Sequence, residues 1–266
     1  MNGFDLILKS DEQDGGAEVY VSASLGGRAY QFLLDTGSAV TSLAWDDFTR
    51  RLPRLGSYSS SGVLGDLQED LVRVADFKLG PIERSALVVR RLGEGHLHAR
   101  SLIGMDLLKD YPCSFEFSRN WVSLEPQPED GRLPLFLDNR FHPYVPVDCQ
   151  GGAGQAVWDT GASLTCVDLA FIAHNPQAFE PAGESSGIDA AGHAVSSPMY
   201  RMQGFSCGGQ AFPAHVVVGL DLSFVNSRIE HPMDMILGYS TLSCADWAFD
   251  FPNRKWGVVR MLDGSG

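Results

Sequence analysis

Apolar residues in this chain come in short runs broken by Gly, Pro and small polar residues, and the runs recur in pairs about half a chain apart. Glu18-Val19-Tyr20-Val21 and Tyr144-Val145-Pro146-Val147 each precede a glycine-containing turn, and a second apolar run then ends in Asp35 or Asp159. Runs of this length, rich in β-branched and aromatic residues and bounded by turn formers, predict strands. Further on, Leu102-Ile103-Gly104 is echoed by Ile236-Leu237-Gly238. Ser114-Phe115-Glu116-Phe117 leads to Asn120-Trp121-Val122-Ser123-Leu124, and Trp247-Ala248-Phe249-Asp250-Phe251 leads to Arg254-Lys255-Trp256-Gly257-Val258-Val259. Both read as a hairpin with a polar turn and a second strand opened by Trp. Gly151-Gly152-Ala153-Gly154 predicts a wide hairpin turn. Two segments at equivalent places read as short helices, Trp45 to Leu52 and Asp168 to Ala173. A pattern repeating at half the chain length predicts a duplicated β unit.

The repeat brings one chemical group with it. Asp35-Thr36-Gly37-Ser38 and Asp159-Thr160-Gly161-Ala162 both follow a predicted strand, so each carboxylate emerges into a tight, glycine-enabled loop. One Asp-Thr-Gly triplet is common by chance. Two with matching flanks predict a pair of aspartates brought to one place, a device for general acid–base chemistry. In the bland alternative, both aspartates merely cap turns of a β-rich duplication.

Together with Leu102-Ile103-Gly104 and Ile236-Leu237-Gly238, these triplets make the chain resemble the aspartic peptidases, specifically the retropepsin-like type with two halves in one polypeptide. The resemblance implies an all-β, bilobal acid-protease fold, with two homologous barrel-like lobes and a cleft between them. Residues 1–128 would form the first lobe and 132–266 the second, joined through the Pro-, Gly- and charge-rich stretch Glu125-Pro126-Gln127-Pro128-Glu129-Asp130-Gly131. It implies an endopeptidase in which Asp35 and Asp159 share one proton and activate a water. Like charges so close cannot both ionise; aspartic proteases are the standard illustration of this effect. Thr36 and Thr160 would cross-bond between lobes, and Gly37 and Gly161 would offer amides near the carboxylates. Ser38 would donate a hydroxyl to Asp35 that Ala162 cannot give Asp159, which predicts a mildly acidic to near-neutral optimum. By the same resemblance, two Gly-punctuated hairpins are candidate flaps over bound peptide, with Val63, Leu64 and Gly65 on one and Ile188 and Asp189 on the other. The rival reading is a non-catalytic relative that binds a peptide or partner in the cleft.

Composition limits the partners. In 266 residues, Gly 29 and Pro 14 suit an all-β chain, and a formal charge of −13 argues against nucleic acid, whose phosphates need a basic face. The expected partner is a peptide or protein substrate, with no cofactor, no metal and no membrane. The first residues lack the basic start and apolar core of a secretory signal, and leave no room for a basic propeptide. Five cysteines without paired spacing suggest free thiols. Both point to a cytoplasmic protein, and duplication within one chain predicts activity as a monomer.

Three other signals are weak. Gly183-Glu184-Ser185-Ser186-Gly187 fits the spacing of a nucleophile elbow, but nothing around it predicts the required strand–turn–helix. His96-Leu97-His98 lacks a third metal ligand. The glycines at 151, 152 and 154 lack the Lys and Ser/Thr of a phosphate loop.

Overall fold

The computed structural model describes residues 2–10, 15–62, 65–94, 99–126, 132–188 and 194–262. For 58–62, 65–68, 186–188 and 194–195 it describes the backbone alone. The chain folds into three sheets with only short helical turns between them. An eight-stranded sheet is built from residues between Ile7 and Ile103, and a ten-stranded sheet from residues between Phe136 and Leu237.

The third sheet has six strands and draws on both ends of the chain, in the spatial order Gly3–Asp5, Trp121–Ser123, Pro112–Glu116, Ala245–Asp250, Lys255–Met261 and Leu133–Pro134. Its centre pairs the two halves directly, Cys113 with Phe249 and Phe115 with Trp247. The matched hairpins of the sequence are therefore neighbours. Both turn through a left-handed residue just before the second strand, Asn120 and Arg254, each at φ 53°.

The same local pattern is built twice around the aspartates. Strand Ala17–Leu25 turns back into Arg28–Leu34, which runs parallel to Leu102–Ile103; strand Pro143–Cys149 turns back into Gly152–Trp158, which runs parallel to Met235–Leu237. A long hairpin follows each, Arg54–Gly62 with Gly65–Leu79 and Phe179–Ile188 with Ala194–Met202. The ends of both aspartate-bearing strands are buried on both faces, Phe32, Leu33 and Leu34 in one and Ala156, Val157 and Trp158 in the other, while Gln31 is exposed. Trp158, Trp247, Trp256, Phe115 and Phe249 form an aromatic core at the junction of the second and third sheets, with Trp158 at 4.6 Å from Phe115 and 4.7 Å from Phe249 between ring centres. This is an all-β acid-protease fold.

Some local expectations are corrected. Trp45 to Leu52 is not a helix beyond the single tight turn Thr49–Arg51. The Asp46 carboxylate takes the amides of Phe48 and Thr49 at 2.8 and 2.7 Å, and the Thr49 hydroxyl is used on the Ala44 carbonyl, which closes a turn rather than extending one. Asp168 to Ala173 is helical as expected, over Leu169–His174. The turn at Gly151 is tight, not wide: Cys149 pairs with Gly152, leaving Gln150 and Gly151 as the loop, with Gly151 at φ 115°. Gly183 to Gly187 lies inside strand Phe179–Ile188, where Ser185 pairs with Ser197, so Ser185 stands on no strand-to-helix turn. No helix among the described residues is long and apolar enough to cross a membrane.

Candidate active site

Each aspartate begins where a strand ends. The Asp35 amide donates to the Ile103 carbonyl at 2.9 Å and the Asp159 amide to the Leu237 carbonyl at 3.0 Å, continuing the parallel ladders one residue past the strands. The loops beyond are then tied down identically, Met105 N to Ser38 O and Tyr239 N to Ala162 O, both at 2.8 Å. This crossing explains the glycine that closes each apolar-apolar-Gly segment. A Cβ on Gly104 would meet the Val40 carbonyl carbon at 2.6 Å, and one on Gly238 the Leu164 carbonyl oxygen at 2.3 Å. The obstacles are backbone and cannot swing aside. Gly238→Ala is expected to lower stability by about 1–3 kcal/mol, the usual cost of forcing a methyl into packed structure. A urea melt of the variant against Gly154→Ala, whose Cβ would meet side chains instead, the Phe171 ring at 3.0 Å and Asp234 Oδ2 at 3.4 Å, checks this.

Both crossings are braced by a threonine six residues after the aspartate. The Gly104 amide donates to Thr41 Oγ1 and the Gly238 amide to Thr165 Oγ1, each at 3.1 Å. Thr41 Oγ1 donates in turn to Asp106 Oδ1 at 2.7 Å, while Thr165 bonds the Thr241 hydroxyl at 2.7 Å. Sequence reasoning missed these two residues, although their identical spacing from Asp35 and Asp159 was a usable signal.

The two loops meet through Thr36 and Thr160, both fully buried. Thr36 Oγ1 donates to the Trp158 carbonyl at 2.8 Å and accepts the Thr160 amide at 3.1 Å. Thr160 Oγ1 donates to the Leu34 carbonyl at 2.6 Å and accepts the Thr36 amide at 3.2 Å. Four bonds thus cross between residues more than 120 positions apart in sequence, all satisfied and away from water.

Above this lattice the carboxyls of Asp35 and Asp159 come close enough to act on each other. Only glycine at the neighbouring positions leaves the carboxyls their space. A Cβ on Gly37 would lie 2.5 Å from Asp159 Oδ2, and one on Gly161 would lie 2.6 Å from Asp35 Cγ. The surroundings of the pair are unequal. Asp159 Oδ1 accepts the Gly161 amide at 2.8 Å and the Gly37 amide, from the opposite loop, at 3.1 Å. Burial raises both carboxyls above the ordinary aspartate range. Asp35 rises well above it, because the charge of Asp159 and their mutual hydrogen bond add to the burial while the Gly37 and Ser38 amides offset only part. Asp159 rises against the two glycine amides, the charge of His142 and the hydrogen bond from Asp35, all of which favour its ionised form. Of the two, Asp35 is the one pushed further toward its protonated form.

The side chain of Ser38 does not do what was expected of it. Its hydroxyl donates to the Val40 carbonyl at 3.1 Å, so the donor difference between Ser38 and Ala162 is not what separates the two aspartates. The backbone amides and His142 separate them instead. The flap candidates lie partly outside the described residues, namely Val63, Leu64 and Asp189. Gly65 opens a strand paired with Gly62, and Ile188 closes one paired with Ala194, so both candidate segments belong to hairpins. His96 and His98 also lie outside the described residues, and among the described residues no three His, Cys, Asp or Glu side chains gather as a metal site would need. All five cysteines are unpaired.

Comparison with protein families gives one match: residues 21–107 fit the aspartyl protease family model. The matched stretch contains Asp35-Thr36-Gly37 and Leu102-Ile103-Gly104, the first-half copies of both motifs. Comparison with curated proteins gives no match.

Proposed function

We propose that this chain is an aspartic endopeptidase in which Asp35 and Asp159 together activate a water against a peptide bond. The observation that carries the reading is the convergence of two half-buried carboxyls, each on an Asp-Thr-Gly loop cross-bonded to the other. In this reading ionised Asp159 takes a proton from the attacking water. Protonated Asp35 hydrogen-bonds the oxygen that becomes negative as the carbonyl turns tetrahedral. A proton then passes to the leaving amine, and the dyad returns to one shared proton. Thr36, Gly37, Thr160 and Gly161 hold the carboxyls in place, and the hairpins carrying Gly65 and Ile188 are candidate covers for the peptide. The match to the aspartyl protease family over residues 21–107 supports the reaction class, and the second Asp-Thr-Gly supplies what that segment alone would lack.

We read residues 1–128 and 132–266 as two retropepsin-like lobes and the active unit as a monomer. The pairing of Pro112–Glu116 with Ala245–Asp250 within one chain supports this, since it leaves no aspartate to be recruited from a second copy. A reducing compartment such as the cytoplasm suits five unpaired thiols. The substrate is a peptide or protein, with no cofactor, nucleic acid or membrane called for.

The test is digestion of a mixed peptide library at mildly acidic to near-neutral pH, with and without a pepstatin-like inhibitor. Cleavage that the inhibitor blocks is expected, with specific activity constant on dilution. Absence of any cut, or activity that falls steeply with dilution, would contradict the peptidase and the monomer respectively.

A further inference from the structure

The turn from Asp138 to His142 sits beside the dyad and holds a buried Asp–His contact that the reaction above does not use. Asp138 Oδ1 accepts the amides of Arg140 and His142 at 2.9 Å each, and Oδ2 binds His142 Nδ1 at 2.7 Å. The Asp138 side chain is 0 % exposed and that of His142 10 %. Phe141, left-handed at φ 64° with its amide on the Asp138 carbonyl at 3.0 Å, brings the chain round to His142. Strand Pro143–Cys149 starts immediately after, antiparallel to Gly152–Trp158 with Tyr144 opposite Val157. Carried two residues past that pair, the register brings His142 towards Asp159, on which its charge acts.

The first half fills the corresponding place differently. Two steps before Tyr20, which pairs with Leu33, comes Glu18, and its carboxylate is already taken by the Tyr20 hydroxyl at 3.0 Å and by Arg100. At the matching sequence position the first half therefore carries a paired acid and the second an imidazole. The charged groups around that imidazole are mostly acids. Asp138 comes from its own turn, Asp159 from the end of the neighbouring strand and Asp35 from the opposite loop. Glu230 reaches the turn through the Asn139 amide at 3.0 Å. Against them stand Lys109, over the Phe141 ring at 4.9 Å, and Arg140, whose guanidinium is turned to the Arg228 carbonyl at 3.1 Å.

We propose that His142, oriented by Asp138, is a positioning residue of the dyad. Its imidazolium keeps Asp159 the ionised member and leaves the shared proton on Asp35, so that it settles which carboxyl is base and which is acid. Asp138 is what holds the imidazolium there. Burial alone would raise the Asp138 carboxyl, but the hydrogen bond and charge of His142 and the two amides outweigh it and hold the carboxyl below its ordinary range. The catalytic consequence rests on the peptidase reading; the electrostatic coupling does not.

The experiment follows the aspartate carboxyl carbons by NMR in the full chain, alongside the pH–rate profile on one peptide. His142→Asn keeps a donor near the Nδ1 position and removes the charge. The Asp159 carboxyl is then expected to titrate at higher pH, and the acidic limb of the rate profile to move to higher pH with it. Asp138→Asn should shift both in the same direction. A folded His142→Asn variant in which neither moves overturns the proposal. Should both variants fail to fold, ring-nitrogen shifts of His142 in the unmutated chain decide. Both nitrogens protonated while the dyad holds a single proton is expected, and a neutral ring there overturns it. Carboxyl shifts as expected in a chain that cleaves nothing would uphold the coupling and refute the peptidase.

Discussion

Asp35→Asn and Asp159→Asn are each expected to reduce peptide hydrolysis by at least about 10²–10⁴-fold, the range that one acid–base group supplies. Either carboxyl alone lacks a partner to exchange the proton with, so neither variant retains half the rate. Their folding should be unimpaired, and the sign follows from the direction of the shifts. Asp35 binds its proton more tightly folded than unfolded, so the folded state holds more protons once pH exceeds the unfolded aspartate value. Stability from this group is then lost as pH rises through the folded value. At neutral pH the dyad is a cost, and Asp35→Asn should be as stable as the parent or more so. Steady-state kinetics on a purified variant, with urea melts at acidic and neutral pH, check both halves. Substantial turnover by either variant, or a loss of stability at neutral pH, would go against the assignment.

Thr160→Val is expected to be the most damaging substitution that leaves the carboxyls in place. Valine keeps the shape but strands the Leu34 carbonyl and the Thr36 amide, both in the buried lattice. An unsatisfied buried polar group costs about 1–3 kcal/mol, so roughly 2–6 kcal/mol is at stake. The mirrored Thr36→Val strands the Trp158 carbonyl and the Thr160 amide and should cost a similar amount. Thr160→Ser, which keeps the hydroxyl and loses a methyl, should cost about 1 kcal/mol. Denaturation midpoints of the three variants provide the comparison. Equal losses in the Val and Ser forms would show that packing, not the crossed hydrogen bonds, holds the loops.

The β architecture and the meeting of Asp35 with Asp159 were legible because the sequence states them twice. Strand periodicity and turn residues recur around both aspartates, and a repeated pattern outweighs the ambiguity of any one run. What was not legible depends on contacts between distant residues. The helices Met105–Leu108 and Tyr239–Leu242 are too short to show a helical period. Trp45 to Leu52 has a helical composition, but buried Arg91 donates to the Thr49 carbonyl at 2.8 Å and stacks over Trp45 at 4.6 Å, which fixes an irregular path. Ser38 looked like a partner of Asp35 because it follows the triplet, yet its hydroxyl turns to its own loop. Asp138 and His142 form no motif at all. Their place beside Asp159 arises only from the register of the strand that follows them.

The measurement that tests the account most directly is cleavage of one good peptide substrate in oxygen-18-labelled water, read by mass spectrometry, for the parent and for Asp159→Asn. Direct attack by a dyad-held water predicts one heavy oxygen at the new carboxyl terminus, no covalent adduct on the protein, and no product from the variant. A trapped acyl-enzyme, or product formed by Asp159→Asn, would contradict it.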